Sequence, residues 1–263
     1  MKPIVLMLSL CAATTLAQGP PAERSDVTGH DAAVDERAIA SLAKMTDFLK
    51  TLQTFSIDSE SSKDEIVDTD MKIQKLATSE ITVRRPDRFH AQMRSDDRDL
   101  DFFYDGQTLT VFSVRQNYYA TTAVPPTIAR TLDAARARYG IDIPLADFLQ
   151  MAAGEDFRSS IIGAGYVGTS RIDGVECDHL AIRQADVDWQ VWIERDQTPV
   201  PRRLVVTTKT EPTQPQFVAT LTWNLSPQID EKQFTFTPPP DASRIMFARK
   251  KPAEATGTSG VRP

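Results

Sequence analysis

Two periods of apolar residues alternate along this chain, and their order sketches a fold. From Glu36 to about Gln53, apolar side chains recur every three or four residues at Ile39, Leu42, Met45, Leu49 and Leu52. That spacing predicts an amphipathic helix, with Asp35 placed to cap it. From Phe55 the period becomes two. Runs rich in Thr, Val, Ile and aromatics, punctuated by Gly, Pro and Asp, predict strands at 54–67, 70–84, 88–95, 99–104, 107–114 and 117–123. Tyr104-Asp105-Gly106-Gln107 is a hairpin signal between two of them. Connections this short imply antiparallel pairing, because a parallel crossover needs about a dozen residues or more.

The alternation then pauses. Pro125-Pro126 opens a segment, 127–138, in which Ile128, Leu132, Ala135 and Arg136 are helically spaced before Gly140. Pro144, followed by Leu145, Phe148, Leu149 and Met151, predicts a second short helix closed by Gly154. Strands resume at 156–162, 165–172, 175–184, 187–195, 202–210, 216–225 and 233–236. Val187, Trp189, Val191 and Ile193 share one strand face, with Asp188, Gln190, Trp192 and Glu194 on the other. Phe217, Ala219, Leu221, Trp223 and Leu225 repeat the pattern. The reading is α+β: one large antiparallel sheet with an apolar and a wetter face, curved because a sheet of this size must coil. An N-terminal helix and two helices inserted in mid-chain, a natural lid, accompany it.

The ends read differently. Lys2 followed by the apolar run Pro3–Ala13 and the small residues of Thr15-Leu16-Ala17 is a secretory signal, with cleavage expected after about Ala17. The run is shorter than the ~20 residues a membrane span needs, and no longer one follows, so no transmembrane span is expected. Acylation of Cys11 is the competing reading, opposed by Leu10 where a small residue belongs. Residues 18–33 read as a flexible leader, 34–248 as a single domain, and 249–263 as a disordered tail. Cleavage would leave one cysteine, Cys177, and hence no internal disulfide.

Composition narrows the function. The 30 basic and 36 acidic side chains leave −6, and an acidic surface repels phosphate backbones, which argues against nucleic acid. Three histidines and two cysteines are poor material for a metal cage, so neither metal nor cofactor is expected. Individual motifs fail on context. Gly163-Ala164-Gly165-Tyr166-Val167-Gly168 has the spacing of a dinucleotide fingerprint, but another strand follows where a helix must begin. Its glycines read instead as a bend or bulge. Ser41-Leu42-Ala43-Lys44 lacks the companion motifs of penicillin-recognising enzymes. Asp97, Asp99 and Asp101 alternate as calcium ligands can, but Phe102 stands where the turn glycine belongs. Cys177 and His179 share a strand face with no third group in view to orient the histidine. No catalytic residue is assigned.

Several strings, taken in order, carry a resemblance. Arg84-Arg85-Pro86-Asp87-Arg88-Phe89 is similar to the Arg-Pro-x-x-Phe strand junction of the periplasmic lipoprotein-carrier superfamily, the LolA/LolB-like fold. Tyr104-Asp105-Gly106 resembles its Asp-Gly hairpin. Val191-Trp192-Ile193-Glu194, then Pro201-Arg202-Arg203-Leu204, resembles its strand–loop–strand, and Phe234-Thr235-Phe236-Thr237-Pro238 its closing motif. The resemblance spans roughly 36–247 and points to a branch of predicted periplasmic proteins. It implies an incomplete antiparallel β-barrel holding apolar groups under a helical lid, and a periplasmic, non-enzymatic carrier of a lipid or lipoprotein acyl chain. Expected liners are Trp189, Val191, Ile193, Leu204, Val206, Phe217, Leu221 and Trp223 from strands, with Leu132, Phe148 and Leu149 from the lid. Arg85 matches the arginine that helps hold the superfamily's lid shut. The chain departs from the pattern in its acidic charge and in lacking an apolar hook for membrane delivery. The alternative is an interaction or regulatory module whose cavity its own side chains fill, binding another envelope protein by strand addition.

Overall fold

The computed structural model describes residues 34–67, 71–154 and 158–248. The signal, leader and tail expected from the sequence lie outside these residues. Helix α1 runs Glu36–Thr51 and is capped by Asp35, whose carboxylate accepts the Arg37 backbone N–H at 2.8 Å. Leu42, Met45 and Leu49 on its inward stripe are fully buried, each contributing about 1.5–3 kcal/mol relative to exposure. Six strands follow: β1 Thr54–Val67, β2 Met71–Arg84, β3 Arg88–Ser95, β4 Asp99–Tyr104, β5 Thr108–Ser113 and β6 Tyr118–Ala123. The β4–β5 turn needs its glycine. Gly106 has φ +88°, and a Cβ there would collide with the Arg88 guanidinium, while the Asp105 carboxylate accepts the Gln107 and Thr108 backbone N–H groups.

Helices α2, Ile128–Tyr139, and α3, Ala146–Ala152, interrupt the sheet. Thr127 caps α2, and Gly140, with φ +65°, ends it. Helix α3 is bracketed by two left-handed residues, Leu145 at φ +53° and Gly154 at φ +94°. Strands β7 Gly163–Ile172, β8 Val175–Arg183, β9 Val187–Glu194, β10 Pro201–Thr208 and β11 Gln216–Asn224 then complete the second meander.

All the strands lie in one sheet of twelve, ordered β12-β6-β5-β4-β3-β2-β1-β11-β10-β9-β8-β7, where β12 is the two-residue Ser243–Arg244. The two meanders meet at β1–β11, and every pairing is antiparallel except β12 on β6. The sheet does not close, and its edges are β12 and β7. One face carries Phe55, Ile57, Ile81, Val83, Phe89, Phe102, Tyr104, Leu180, Val191 and Leu221, which form one core with the three helices. Helix α1 packs on β7, β8 and β9, and α3 packs on α1 and α2.

Two expected strands are absent. Within 156–162 the described residues 158–160 form a 3-10 turn, and β7 begins only at Gly163. Residues 231–234 form another 3-10 turn where a strand at 233–236 was expected. Phe234 is buried, and Phe236 lies 5.2, 5.3 and 5.0 Å from the rings of Phe103, Phe112 and Tyr119 on the outer face. The segment after β11 thus straps the outside of the first meander and ends by adding β12 to β6. Among the described residues, no helix is long and apolar enough to cross a membrane.

Candidate functional site

Alternation puts Val187, Trp189, Val191 and Ile193 of β9 on the face that also carries Leu204 and Val206 of β10. Cross-strand register sets Trp189 opposite Val206, Val187 opposite Thr208, and Val191 opposite Leu204. Above this two-strand floor stands α3, whose helical spacing directs Phe148 and Met151 downward. The space between them is a cavity of about 440 Å³, lined also by Arg136 of α2, Asp147, Gln150 and Gln184. That volume falls within the ~300–1,000 Å³ typical of small-molecule sites. Its depth is apolar and its rim polar. At the rim, Arg136 pairs loosely with Asp142 at 3.6 Å, and the Gln150 amide donates to Asp133 at 2.8 Å. Asp147 is exposed at the mouth, and partial desolvation there pushes its carboxyl above its ordinary range; the Arg136 charge opposes that shift and Asp142 adds to it.

Of the residues anticipated from sequence, Phe148, Trp189, Leu204 and Val206 line this cavity. Val191, Ile193, Leu221 and Leu132 lie deeper, buried in the continuous core. Phe217, opposite Val206, is partly buried against that core. Trp223 lies 5.5 Å from the Phe55 ring and donates its indole N–H to the Pro201 carbonyl at 2.7 Å. Leu149 faces a second cavity of about 170 Å³ with Phe55, Val83, Arg85 and Ile128. The hydrogen bonds of Arg85 go to the end of α1: its guanidinium donates to the carbonyls of Lys50 at 2.6 Å and Leu52 at 3.3 Å. Sequence reasoning missed Met151, Val187 and the polar rim. The i, i+3 spacing of Phe148 and Met151 along one helix face was the available signal for Met151.

The remaining motifs are held by structure. Gly163–Gly168 lies in β7, with a bulge between Tyr166 and Gly168. Ser41 donates to Asp178 at 3.0 Å, which also accepts from the Tyr166 hydroxyl at 2.8 Å, while Lys44 is exposed. Asp97, Asp99 and Asp101 pair with Lys75, Arg115 and Arg94 respectively. Cys177 is buried, its thiol pushed above its usual range by desolvation and lying 3.5 Å from the Val175 carbonyl. His179 stacks on Trp192 at 4.0 Å and bonds Gln190 at 2.9 Å, so it is engaged elsewhere.

A family profile described as predicted periplasmic protein (DUF2092) matches residues 38–248. Among solved structures, the lipoprotein LppX of Mycobacterium tuberculosis is 15% identical, with a TM-score of 0.49 over 74% of this chain and 100% of its own. LprF of Mycobacterium bovis is 13% identical, with a TM-score of 0.44 over 80% and 100%. A LolA superfamily protein of Nitrosomonas europaea is 11% identical, with a TM-score of 0.38 over 76% and 97%. No curated protein matches the sequence.

Proposed function

Since the chain belongs to the DUF2092 family of predicted periplasmic proteins, we propose that it is a periplasmic, non-enzymatic binding or carrier protein for the apolar part of a lipid or lipoprotein. One observation carries this reading: the cavity of about 440 Å³ between α3 and the β9–β10 floor, apolar in its depth and polar at its rim. Burying an alkyl chain there contributes about 0.8 kcal/mol per methylene, enough for affinity without any chemical step. The nucleophile and base that the sequence offered, Cys177 and His179, are each committed to other partners.

The test is native mass spectrometry of the purified protein, followed by organic extraction and uptake of a fluorescent fatty acid. A stoichiometric bound lipid, or saturable uptake, is expected. Val206→Trp, which fills the cavity from its floor, is expected to abolish uptake while the fold persists by circular dichroism. A protein that carries no lipid and takes none up overturns the reading. A second reading has its own support: β7 is a sheet edge covered by Val34 and Asp35 only at Ala164 and Tyr166 among the described residues, and Ile162 and Val167 are exposed there. Such an edge suits strand addition by an envelope protein. Retained partner capture from periplasmic extract by the Val206→Trp variant would favour it.

A further inference from the structure

We propose that the cavity takes a single-chain zwitterionic phospholipid, with Arg136 facing its phosphate and Asp147 its ammonium. The inference rests on the reading of the cavity as an apolar-ligand site and names the ligand's class.

The chain number follows from the floor. It is two adjacent strands wide, with Trp189–Val206 and Val187–Thr208 as facing pairs, and neighbouring strands lie about 4.8 Å apart. Phe148 and Met151 close the groove from above. One hydrocarbon chain fits along such a groove; a second has no floor to lie on.

The head follows from the rim. Arg136 and Asp147 are the two charged side chains that line the cavity, and Gln150, Gln184 and Thr208 supply neutral polar groups. Arg136 is loosely engaged. Its partner Asp142 is 3.6 Å away and both side chains are more than three-quarters exposed, a geometry that holds little energy. Asp147 is exposed at the mouth and its carboxylate has no hydrogen-bond or ion-pair partner among the described residues; partial desolvation there raises its pKa, so its charged form gains from a cation placed beside it. A fatty acid or a phosphoglycerol head satisfies Arg136 but offers Asp147 no cation. A cationic amphiphile satisfies Asp147 and opposes Arg136. A head bearing both signs satisfies both.

The experiment compares lysophosphatidylethanolamine, lysophosphatidylglycerol, a fatty acid and a monoacylglycerol of one chain length, by native mass spectrometry and displacement of a fluorescent probe. The zwitterion is expected to bind roughly tenfold more tightly than lysophosphatidylglycerol, the scale of one charge-assisted hydrogen bond. Asp147→Asn is expected to erase that preference by lowering only the zwitterion's affinity. Arg136→Gln is expected to weaken both phospholipids and leave the monoacylglycerol unchanged. Equal binding of the two phospholipids, or an unchanged preference in Asp147→Asn, overturns the headgroup assignment while the cavity stands. Failure of every amphiphile, the uncharged monoacylglycerol included, overturns the cavity reading itself.

Discussion

Arg85 offers a perturbation whose outcome separates two roles. Its guanidinium donates to Lys50 O at 2.6 Å and Leu52 O at 3.3 Å. The last carbonyls of a helix have no partner within it, and they carry the negative end of the helix dipole. Arg85 therefore closes the C-terminus of α1 with a cation, and burial, which lowers its pKa, strengthens its reliance on those carbonyls. A charged hydrogen bond contributes about 1.5–3 kcal/mol net, and the contact at 3.3 Å adds little. Arg85→Met keeps the apolar stem and removes the donors, so a loss of about 2 kcal/mol is expected. For a domain of this size that lowers Tm by roughly 4–8 °C.

The assay is thermal unfolding by circular dichroism with a parallel urea titration, where the midpoint falls and the m-value is unchanged. Arg85→Lys retains one donor and the charge, and recovers part of the loss. A Tm shift below about 1 °C in Arg85→Met refutes the capping argument. A faster release of bound ligand at unchanged Tm would instead give Arg85 the lid-holding role that the superfamily resemblance implies.

Three further outcomes follow from buried groups. The fully buried Tyr104 donates its hydroxyl to Pro125 O at 2.8 Å, and Thr131 donates to the same carbonyl; Tyr104→Phe is expected to cost only about 1 kcal/mol in urea unfolding, because that acceptor keeps one donor. Cys177 is expected to resist thiol labelling in the native protein and to react fully in denaturant, and fast native labelling would contradict its burial. His90 stacks on Phe103 at 4.5 Å with its Nε2 buried and unpartnered, and desolvation depresses its pKa below the ordinary 6.5. Stability from neutral His90 is complete above 6.5 and is lost as pH falls through the depressed folded value, because the unfolded chain binds the proton first. His90→Phe should flatten that slope, and an unaltered pH profile would count against the assignment.

Legibility followed the reach of the physical signal. The antiparallel sheet was readable because alternation is local: every strand from β1 to β6 starts and ends within a residue of its expected position. The same signal misled at Phe234 and Phe236, where a period of two describes a non-strand segment that buries Phe234 beside Arg84 and presses Phe236 onto Phe103, Phe112 and Tyr119. Alternation reports that two side chains share a direction, and a strap lying on a sheet produces that as readily as a strand within it. The cavity shows the same boundary. Trp189 and Val191 are equivalent by period, yet Trp189 lines the open space and Val191 is sealed in the core. The difference is set by where α3 rests, which depends on contacts with its neighbour α2 and with α1, far away in sequence. Asp147 and Gln150 were illegible for a related reason. On a seven-residue helix they look like a solvated face, and only the approach of β9 and β10 turns that face into the rim of a site. Composition and period therefore indicate which residues point inward, and the packing of one short helix decides which of them a ligand would touch.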